Sequence, residues 1–262
     1  MKILVKLGGT LLDEPGSRIS LGRQIAAAQE KVSVVVVHGG GKQMTRFLTE
    51  RGVESRFVGG LRVTTPEVVD AVLKVFAGSV NKQLVGALRA AGAPATGLSG
   101  IDGGLAVAEQ MNPELGAVGR IVSADARILD TLLGGGFMPV VACVAGGSAG
   151  EEAVFNVNAD QMAVACAVAW KADRLIFLTD VPGVKSADGS VIPRLTPTAA
   201  RELIRSGVAT GGMQAKLESA CAALAAGVRE VRIAPGAEPG ILERLLRGEE
   251  AGTALAPEAI SA

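Results

Sequence analysis

Residues 34–42 read Val-Val-Val-Val-His-Gly-Gly-Gly-Lys, and this stretch decides the fold class. The unbroken valine run predicts a strand, placed at residues 32–37, that is apolar on both faces and therefore central in a sheet. Three glycines then leave the backbone bare, and a helix is predicted to follow at about residues 41–51. In sheets built from such strand–loop–helix units, ligands bind at the carboxyl ends of the strands, so the glycine loop is a candidate binding element.

The glycine loop matches neither of the two common phosphate-binding motifs. A Walker loop has an earlier glycine where this chain has Val36, and it continues with Ser or Thr where this chain has Gln43. A dinucleotide-binding loop would use Gly39 and Gly41, but its third glycine position is occupied by Met44. Bare amides at a helix N-terminus can still bind an anion, and a tight turn between strand and helix is the alternative.

The composition excludes several classes of function. The chain has 262 residues, of which 48% are hydrophobic and 20% charged, with 35 glycines. That length can bury the core of one large domain or of two lobes. The 26 basic residues balance the 26 acidic ones, so no global field attracts nucleic acid or an anionic membrane. These values are typical of a globular protein that binds small molecules.

The cysteine pattern predicts neither disulfides nor a zinc site. Cys143, Cys166 and Cys221 are far apart and odd in number, and the chain contains one histidine. We expect buried, reduced thiols and a cytoplasmic protein. Lys6 interrupts the apolar N-terminal segment, so no signal peptide is predicted. No apolar stretch is free of polar residues for long enough to cross a membrane, so no membrane span is expected.

The remaining pattern predicts an α/β fold, a three-layer sandwich with a central mainly parallel sheet and helices on both faces. A small, polar end of the chain is expected to form a loosely held tail over residues 249–262. Further strands are predicted at residues 2–7, 138–144, 174–178 and 229–233. Further helices are predicted at residues 18–29, 66–91, 158–170, 197–206, 213–226 and 240–247.

Several polar residues are candidates for a site on their own pattern. Lys6 lies in an apolar strand, where a lysine is costly unless it is paired, faces a site or sits on an edge strand. Arg62, among glycines and β-branched residues, is suited to gripping a carboxylate, although a solvated hairpin arginine is equally consistent. Lys216 follows a glycine pair by one helical turn and is either a site residue or an exposed helix residue. His38, a lone histidine at a strand end, is expected to be structural.

Residues 155–163 carry three alternating polar residues, Asn156, Asn158 and Asp160. If the segment is extended, all three side chains face the same way. Asn158 or Asp160 is also suited to capping the helix that follows, although capping explains one polar residue better than three.

Six motifs together resemble the N-acetylglutamate kinases of the amino-acid kinase superfamily. The resemblance extends from about Lys2 to Gly252, with the motifs in the order and at roughly the spacing of that family. They are "VKLGG" (5–9), "HGGGK" (38–42), "GLRVT" (60–64), "NVNAD" (156–160), "LTDVPGV" (178–184) and "TGGMQAK" (210–216).

The resemblance implies transfer of the γ-phosphoryl group of MgATP to the side-chain carboxylate of N-acetyl-L-glutamate, a step of arginine biosynthesis. It implies an N-terminal lobe, residues 1–170, that binds the amino-acid substrate and forms the interface of a homodimer. A C-terminal lobe, residues 171–262, would bind the nucleotide within one continuous sheet. The Mg²⁺ ion would be held mainly by ATP oxygens and water, so no protein metal site is expected.

The resemblance also assigns roles to individual residues. Lys6 and Lys216 would stabilise charge on the transferring phosphoryl group and on the leaving β-phosphate, and Asp160 would orient both lysines. Backbone amides would surround the transferring group at Gly8, Gly9, Gly40 and Gly41, the last two also binding substrate. Arg62 and Asn156 would hold the substrate's α-carboxylate and acetamido group. The nucleotide pocket would be lined by Thr179, Asp180, Gly183, Val208, Ala209 and Thr210.

Two other functions stay open on the sequence. The first is a related kinase that acts on acetylated or carrier-bound aminoadipate in lysine biosynthesis. The second is a non-catalytic amino-acid or nucleotide sensor, which loss of Lys6, Asp160 or Lys216 would favour; all three are present. In the resembling family, the hexameric members that arginine inhibits carry a further helix before the first strand. Here the first strand begins at Lys2, so we expect a homodimer that is insensitive to arginine.

Overall fold

The computed structural model describes residues 1–257 of the chain. Its main strands follow the predicted apolar runs, because a run of β-branched residues fits a pleated surface that is covered on both faces. The strands are β1 (Lys2–Leu7), β2 (Ser33–His38), β3 (Phe57–Val58), β4 (Leu61–Arg62), β5 (Ala95–Ser99), β6 (Ala106–Gln110), β7 (Val118–Ala124), β8 (Met138–Ala142), β9 (Val144–Gly146), β10 (Val154–Val157), β11 (Arg174–Thr179), β12 (Arg194–Leu195), β13 (Glu230–Pro235) and β14 (Thr253–Leu255).

Local signals at several helix starts explain where these helices begin. Thr65 and Thr196 each precede a proline at the first helical position, and each side chain accepts a hydrogen bond from a backbone amide of the first turn. Asn158 caps its helix in the same way. The helices are α1 (Pro15–Gln29), α2 (Gly41–Thr49), α3 (Pro66–Val72), α4 (Asn81–Ala90), α5 (Arg127–Gly134), α6 (Ala159–Ala169), α7 (Pro197–Arg205), α8 (Gly211–Ala225) and α9 (Ile241–Leu246), with a π-helical segment Leu73–Val80 between α3 and α4.

An eight-stranded sheet forms the centre of the molecule, in the order β12-β14-β13-β11-β1-β2-β8-β5. The six strands from β13 to β5 are parallel, and β14 and β12 run in the opposite direction at one edge. Residues before 170 supply one half of the sheet and residues after 170 the other, and the two halves meet where β1 pairs with β11. The predicted mainly parallel sheet is therefore confirmed.

Two groups of helices cover the sheet. Helices α1, α4 and α9 pack together, and so do α6, α7 and α8. In β1 every residue after Lys2 is buried, as is every residue of β2 after Ser33, so both faces of the central strands are covered. The predicted three-layer α/β architecture is confirmed. No helix in the described part of the chain is long and apolar enough to span a membrane.

A smaller closed sheet of four short strands, in the order β10-β7-β6-β9, was not predicted. Three of its strands have five residues or fewer, and β7, with seven residues, includes the glycine Gly119 and leaves three side chains exposed. Such segments carry little of the apolar periodicity from which strands are predicted. A two-stranded hairpin of β3 and β4 stands apart from both sheets.

Two predictions about the ends of elements are corrected. Residues 249–262 were expected to form a loose tail, but Thr253–Leu255 is a fully paired strand, β14, in which Thr253 and Leu255 are wholly buried. Residues 258–262 lie outside the described part. The segment 155–163 is not extended throughout, because β10 ends at Val157 and α6 begins at Ala159. At the end of the chain, residues 253–255 form a strand despite the small and polar composition because β14 pairs with β13.

Candidate active site

The two glycine turns of the sequence meet at the carboxyl ends of neighbouring strands. Strands β1 and β2 are parallel neighbours, so Gly8 and Gly9 after β1 lie beside the triple glycine after β2. A Cβ atom on Gly9 would lie 3.1 Å from the amide nitrogen of Gly41, so a side chain there would push the two turns apart by a few tenths of an ångström. Among residues 1–257, the amides of Gly9, Gly40 and Gly41 donate to no backbone carbonyl. The Gly8 amide, also expected to bind the phosphoryl group, instead donates to the Leu178 carbonyl at 3.0 Å. The amides of Gly9, Gly40 and Gly41 remain free N–H donors in the two turns, which suits an anion.

A buried carboxylate bridges two lysines next to these turns. Lys6 Nζ lies 2.7 Å from Asp160 Oδ1, and Lys216 Nζ donates to Asp160 Oδ2 at 2.9 Å. The three residues are 8%, 8% and 9% exposed in the order Lys6, Asp160, Lys216. They come from β1, α6 and α8, which only the fold brings together. The edge-strand alternative for Lys6 is therefore wrong, because β1 lies between β11 and β2, and Asp160 contacts both lysines.

The charges of this cluster do not cancel. Two lysines and one aspartate leave a net charge of +1 in a buried position. Burial alone would raise the pKa of Asp160, but the charges of Lys6 and Lys216 outweigh it and lower that pKa. Burial lowers the pKa of Lys216, and the charge of Lys6 lowers it further. Because an unbalanced buried charge is costly, the cluster is suited to a site whose ligand supplies negative charge.

A cavity of about 180 Å³ opens between the triple glycine, the β3–β4 hairpin and the small sheet. Gly40, Gly41, Arg62 and Asn156, the four predicted substrate-binding residues, all line it. Arg62 is buried, donates to Thr45 Oγ1 at 2.8 Å and to the Gly41 carbonyl at 3.3 Å, and also bonds Ser55 Oγ. The solvated-hairpin alternative is therefore wrong for Arg62, which reaches back over the start of α2.

The polar residues of the "NVNAD" motif divide between three tasks. Asn156 lines the cavity, and its amide donates to Thr64 Oγ1 at 3.0 Å. Asn158 caps α6 through its side-chain oxygen, which accepts from the amides of Asp160 and Gln161. Asp160 then lies in the first turn of α6, between the lysines. The spacing thus places a cavity residue, a cap and a charge bridge within five residues of sequence.

The structure separates the predicted nucleotide-binding residues into two places. Thr179 is the last residue of β11 and Asp180 follows it, and the negative charge of Asp180 opposes the lowering of the Lys216 pKa by burial and by Lys6. Gly183 is closely packed, because a Cβ atom there would lie 2.8 Å from Thr253 Oγ1. The loop of Val208, Ala209 and Thr210 leads directly into α8, which carries Lys216. The first place is thus linked to Lys216 by the charge of Asp180, and the second by its position before α8. The nucleotide-binding role of these residues stays a prediction.

His38 and two of the three cysteines are buried inside the fold. His38 is wholly buried at the end of β2 and bonds Asn81 and the Gly39 carbonyl, as expected for a structural histidine. Cys143 and Cys166 are buried free thiols, and burial raises the pKa of each to about 12. Cys221 is only partly buried, so the expectation of three buried thiols is wrong for this residue.

Sequence analysis missed several residues that shape the cavity. Phe57, Phe76 and Cys143 line it, and Thr64 positions Asn156. Thr64 stands in the "GLRVT" motif, so the motif was a signal for it. Phe76 lies in the predicted helix of residues 66–91, where an apolar residue is indistinguishable from any core position until the fold is known.

Comparison with known proteins identifies the family. The amino acid kinase family model matches residues 1–235. Acetylglutamate kinase of Solibacter usitatus is 64% identical over 254 residues, which are 97% of this chain and 98% of the relative. Acetylglutamate kinase of Acidobacterium capsulatum is 45% identical over 248 residues, which are 94% of this chain and 95% of the relative.

Among solved structures, the N-acetylglutamate synthase of Neisseria gonorrhoeae, complexed with coenzyme A and N-acetyl-glutamate, superimposes with a TM-score of 0.86 at 26% identity. The match covers 98% of this chain but 60% of the synthase, so the chain corresponds to part of that protein. The match to the two kinases, in contrast, spans nearly their whole length. The chain belongs to the amino acid kinase family, within which it groups with the acetylglutamate kinases.

Proposed function

We propose that this protein transfers the γ-phosphoryl group of ATP to the side-chain carboxylate of N-acetyl-L-glutamate, in arginine biosynthesis. The observation that carries the proposal is the buried Lys6–Asp160–Lys216 cluster, with net charge +1, beside the unpaired amides of Gly9, Gly40 and Gly41. Its relatives named acetylglutamate kinase, matched over almost their whole length, support the same activity.

The chemistry suits the residues that the site contains. Phosphoryl transfer needs alignment of the reactants and neutralisation of charge, and the substrate carboxylate is itself the nucleophile. The amides of the glycine turns would donate to the oxygens of the transferring group, where charge spreads in the transition state. Lys6 and Lys216 would balance charge on the transferring group and on the leaving β-phosphate, and Asp160 would hold both ammonium groups in place. This cluster also favours an enzyme over a sensor that only binds the same ligands.

The cavity beside the triple glycine is proposed to hold the amino-acid substrate. Arg62 would pair with the α-carboxylate, since its guanidinium presents parallel donors. Asn156 would bond the acetamido group, and its own amide is oriented by Thr64. The reacting carboxylate would then point at the glycine turns, where Gly40 and Gly41 also line the cavity. N-acetylaminoadipate, one methylene longer, is the competing substrate.

The nucleotide is proposed to bind at the ends of β11 and α8. Thr179, Asp180, Gly183 and residues 208–210 would line its pocket. Among residues 1–257 no three or more His, Cys, Asp or Glu side chains cluster as metal ligands. We therefore expect Mg²⁺ to be held mainly by phosphate oxygens and water, where it would neutralise phosphate charge. Residues 1–170 would then serve the amino acid and residues 171–262 the nucleotide.

We also propose that the protein is a homodimer, with the long helical segment of residues 66–90 at the two-fold interface. Much of the apolar surface of this segment is buried within its own chain, but Leu73 stays 38% exposed. A cytoplasmic location is proposed from the three free thiols, which suit a reducing compartment. Sedimentation equilibrium of the parent and of Leu73→Glu tests the interface: the parent should be a dimer and the variant should dissociate.

An ADP-release assay with four acceptors tests the activity. N-acetyl-L-glutamate should support turnover with MgATP, whereas glutamate, aspartate and N-acetylaminoadipate should support at least tenfold less. One methylene is worth about 1–3 kcal/mol in a fitted pocket, which sets this expectation for aminoadipate. Asp160→Asn is the control for contaminating kinases, because it should abolish the signal. Preferential turnover of N-acetylaminoadipate, or equal ADP release without any acceptor, would contradict the proposal.

A further inference from the structure

The peptide between Gly39 and Gly40 is held from the interior of the protein. His38 Nδ1 lies 2.8 Å from the Gly39 carbonyl oxygen, and His38 is wholly buried. No cis peptide occurs among residues 1–257, so the carbonyl of Gly39 and the N–H of Gly40 point in opposite directions across one planar unit. Drawing the carbonyl toward the buried imidazole therefore turns the Gly40 N–H away from it. Gly39 and Gly40 both line the substrate cavity, and the Gly40 nitrogen lies 3.4 Å from where a Cβ atom on Gly9 would be, which places this amide beside the first glycine turn.

The hydrogen-bond partners of His38 specify one tautomer. The Gly39 carbonyl can only accept, so Nδ1 carries the hydrogen. On the other side of the ring, Asn81 Nδ2 lies 3.0 Å from His38 Nε2 and 2.9 Å from the Val140 carbonyl. That carbonyl requires a donor, which fixes the nitrogen end of the Asn81 amide at this position. Nε2 must then accept, and the imidazole is neutral with its hydrogen on Nδ1.

Asn81 is itself built into this position. It is wholly buried where the π-helical segment gives way to α4. A Cβ atom on Gly97 would lie 1.9 Å from Asn81 Oδ1, so the glycine of β5 makes room for the amide. Phe76 and Val80, from the π-helical segment, would lie 3.0 Å and 3.3 Å from a Cβ atom on Gly40. The same stretch of helix thus supports the glycine turn directly and through His38.

We propose that His38 is a positioning residue for phosphoryl transfer: it aims the Gly40 amide at the reacting group, and Asn81 selects the tautomer that allows it. The inference rests on the proposed function for its catalytic consequence, although the geometry stands without it. His38 touches neither substrate nor nucleotide in this arrangement and exchanges no proton.

The electrostatic surroundings keep the imidazole neutral. Burial lowers the pKa of His38 from 6.5 to about 4, the bond to Gly39 opposes this, and the nearby charge of Lys82 lowers it further. Lys82 Nζ lies 3.1 Å from Asn81 Oδ1 and donates to the Gly97 carbonyl. A protonated ring would also direct a second N–H at the amide nitrogen of Asn81. The tautomer is therefore kept over the pH range in which a kinase works.

The first test reads the tautomer directly. His38 is the single histidine of the chain, so nitrogen–proton correlation spectra of ¹⁵N-histidine-labelled protein contain one imidazole. We expect a neutral ring protonated at Nδ1, unchanged between pH 8 and 6, and a shift toward the Nε2 tautomer in Asn81→Asp, whose carboxylate accepts. A ring protonated at Nε2 in the parent, or a normal titration near pH 6.5, would overturn the inference whatever the enzymatic activity is.

The second test separates positioning from stability. His38→Asn keeps an amide nitrogen where Nδ1 was, whereas His38→Gln moves it toward Nε2. We expect kcat for N-acetyl-L-glutamate within fivefold of the parent for the first and about a hundredfold lower for the second, the scale of one misdirected amide donor. The KM for ATP should be unchanged in both.

Leu84→Ala is the matched control, because Leu84 is wholly buried about one turn along α4 from Asn81 and is not among the residues that line the substrate cavity. It should lower the melting temperature without lowering kcat. The inference would be wrong if kcat fell in proportion to the melting temperature in all three variants, His38→Asn, His38→Gln and Leu84→Ala. His38 would then be merely structural. A parent without activity toward N-acetyl-L-glutamate would remove the proposed function and, with it, the catalytic part of this inference, while the tautomer result would still stand.

Discussion

Replacing Lys216 with methionine separates what this lysine does for catalysis from what it does for folding. Methionine is similar in length but uncharged, so Lys216→Met takes the buried cluster from a net charge of +1 to zero. Asp160 keeps its ion pair with Lys6 at 2.7 Å. The perturbation therefore removes one charge and one hydrogen bond and leaves the remaining pair balanced.

Two opposing contributions decide the effect on stability. Burial, followed by the charge of Lys6, lowers the pKa of Lys216, so its ammonium form is disfavoured in the folded protein. Replacing a whole buried ion pair or triad with apolar residues is neutral or gains about 1–4 kcal/mol, so removing only the surplus charge gains at most part of that. Losing a hydrogen bond to a charged group costs about 1.5–3 kcal/mol. We expect the free energy of unfolding to change by less than about 2 kcal/mol in either direction.

The effect on catalysis should be much larger. If the ammonium group meets charge that grows on the leaving phosphate, its loss costs about 3 kcal/mol of transition-state stabilisation, or about a hundredfold in kcat. Asp160→Asn provides the contrast, because it leaves two buried ammonium groups without their carboxylate and should cost about 3–5 kcal/mol of stability as well as activity. Lys74→Met, in an exposed pair with Asp70, should change neither quantity measurably.

Coupled ADP release and urea unfolding measure the two effects on the same protein samples. Lys216→Met should have a low kcat and a free energy of unfolding near that of the parent. Asp160→Asn should have both a low kcat and a low free energy of unfolding. A kcat for Lys216→Met within threefold of the parent would remove this lysine from the path of phosphoryl transfer. A stability loss as large as that of Asp160→Asn would show that the lysine serves the fold.

Three further outcomes are expected. Gly9→Ala would place a methyl group 3.1 Å from the Gly41 amide nitrogen and should lower kcat at least tenfold. Gly16→Ala is the control, because a Cβ atom there meets nothing within 4 Å and kcat should not change. Equal kcat values for the two variants would refute the role of the amide cluster. Arg62→Lys keeps the charge but loses the planar fork, so the KM for N-acetyl-L-glutamate should rise about tenfold with an unchanged KM for ATP, and a change confined to ATP would reverse the assignment of the lobes. Burial lowers the pKa of His38 to about 4, so between pH 6.5 and 4 the unfolded chain binds a proton that the native state excludes. The free energy of unfolding should therefore fall by about 3 kcal/mol as the pH is lowered from 6.5 to 4. His38→Asn should lack this part of the slope in urea titrations, and identical slopes would show that the native histidine is protonated as readily as the unfolded one.

Five of the eight strands of the central sheet, β1, β2, β8, β11 and β13, were predictable because they are strongly apolar, whereas β5, β12 and β14 were not predicted. The valines of β2 and the apolar residues of β1 and β11 are buried on both faces, so pattern and burial agree. The glycine turns were predictable as a binding element for the related reason that parallel strands end at one edge of the sheet. The small sheet was not predicted, since short strands with exposed side chains carry no clear period.

The pairing within the site was only partly predictable. Nothing in the spacing of Lys6, Asp160 and Lys216 shows that they touch; their common contact was expected from the resemblance of the motifs, and the fold provides it. The contact between His38 and Asn81 could not be predicted, because it depends on a π-helical segment inside an otherwise ordinary helical pattern. Phe76 was overlooked because an apolar residue in a helical pattern is indistinguishable from a core position.

Oxygen tracing tests most directly the claim that the substrate carboxylate attacks ATP at this site. The protein would be incubated with MgATP and N-acetyl-L-glutamate carrying ¹⁸O in the side-chain carboxylate, and hydroxylamine would trap any acyl phosphate. Hydroxylamine attacks the carbonyl carbon, so the bridging oxygen leaves with the phosphate. We predict phosphate that contains one ¹⁸O atom per molecule, formed together with the hydroxamate and abolished in Asp160→Asn. Phosphate without ¹⁸O, formed at the same rate whether or not N-acetyl-L-glutamate is present, would contradict the account.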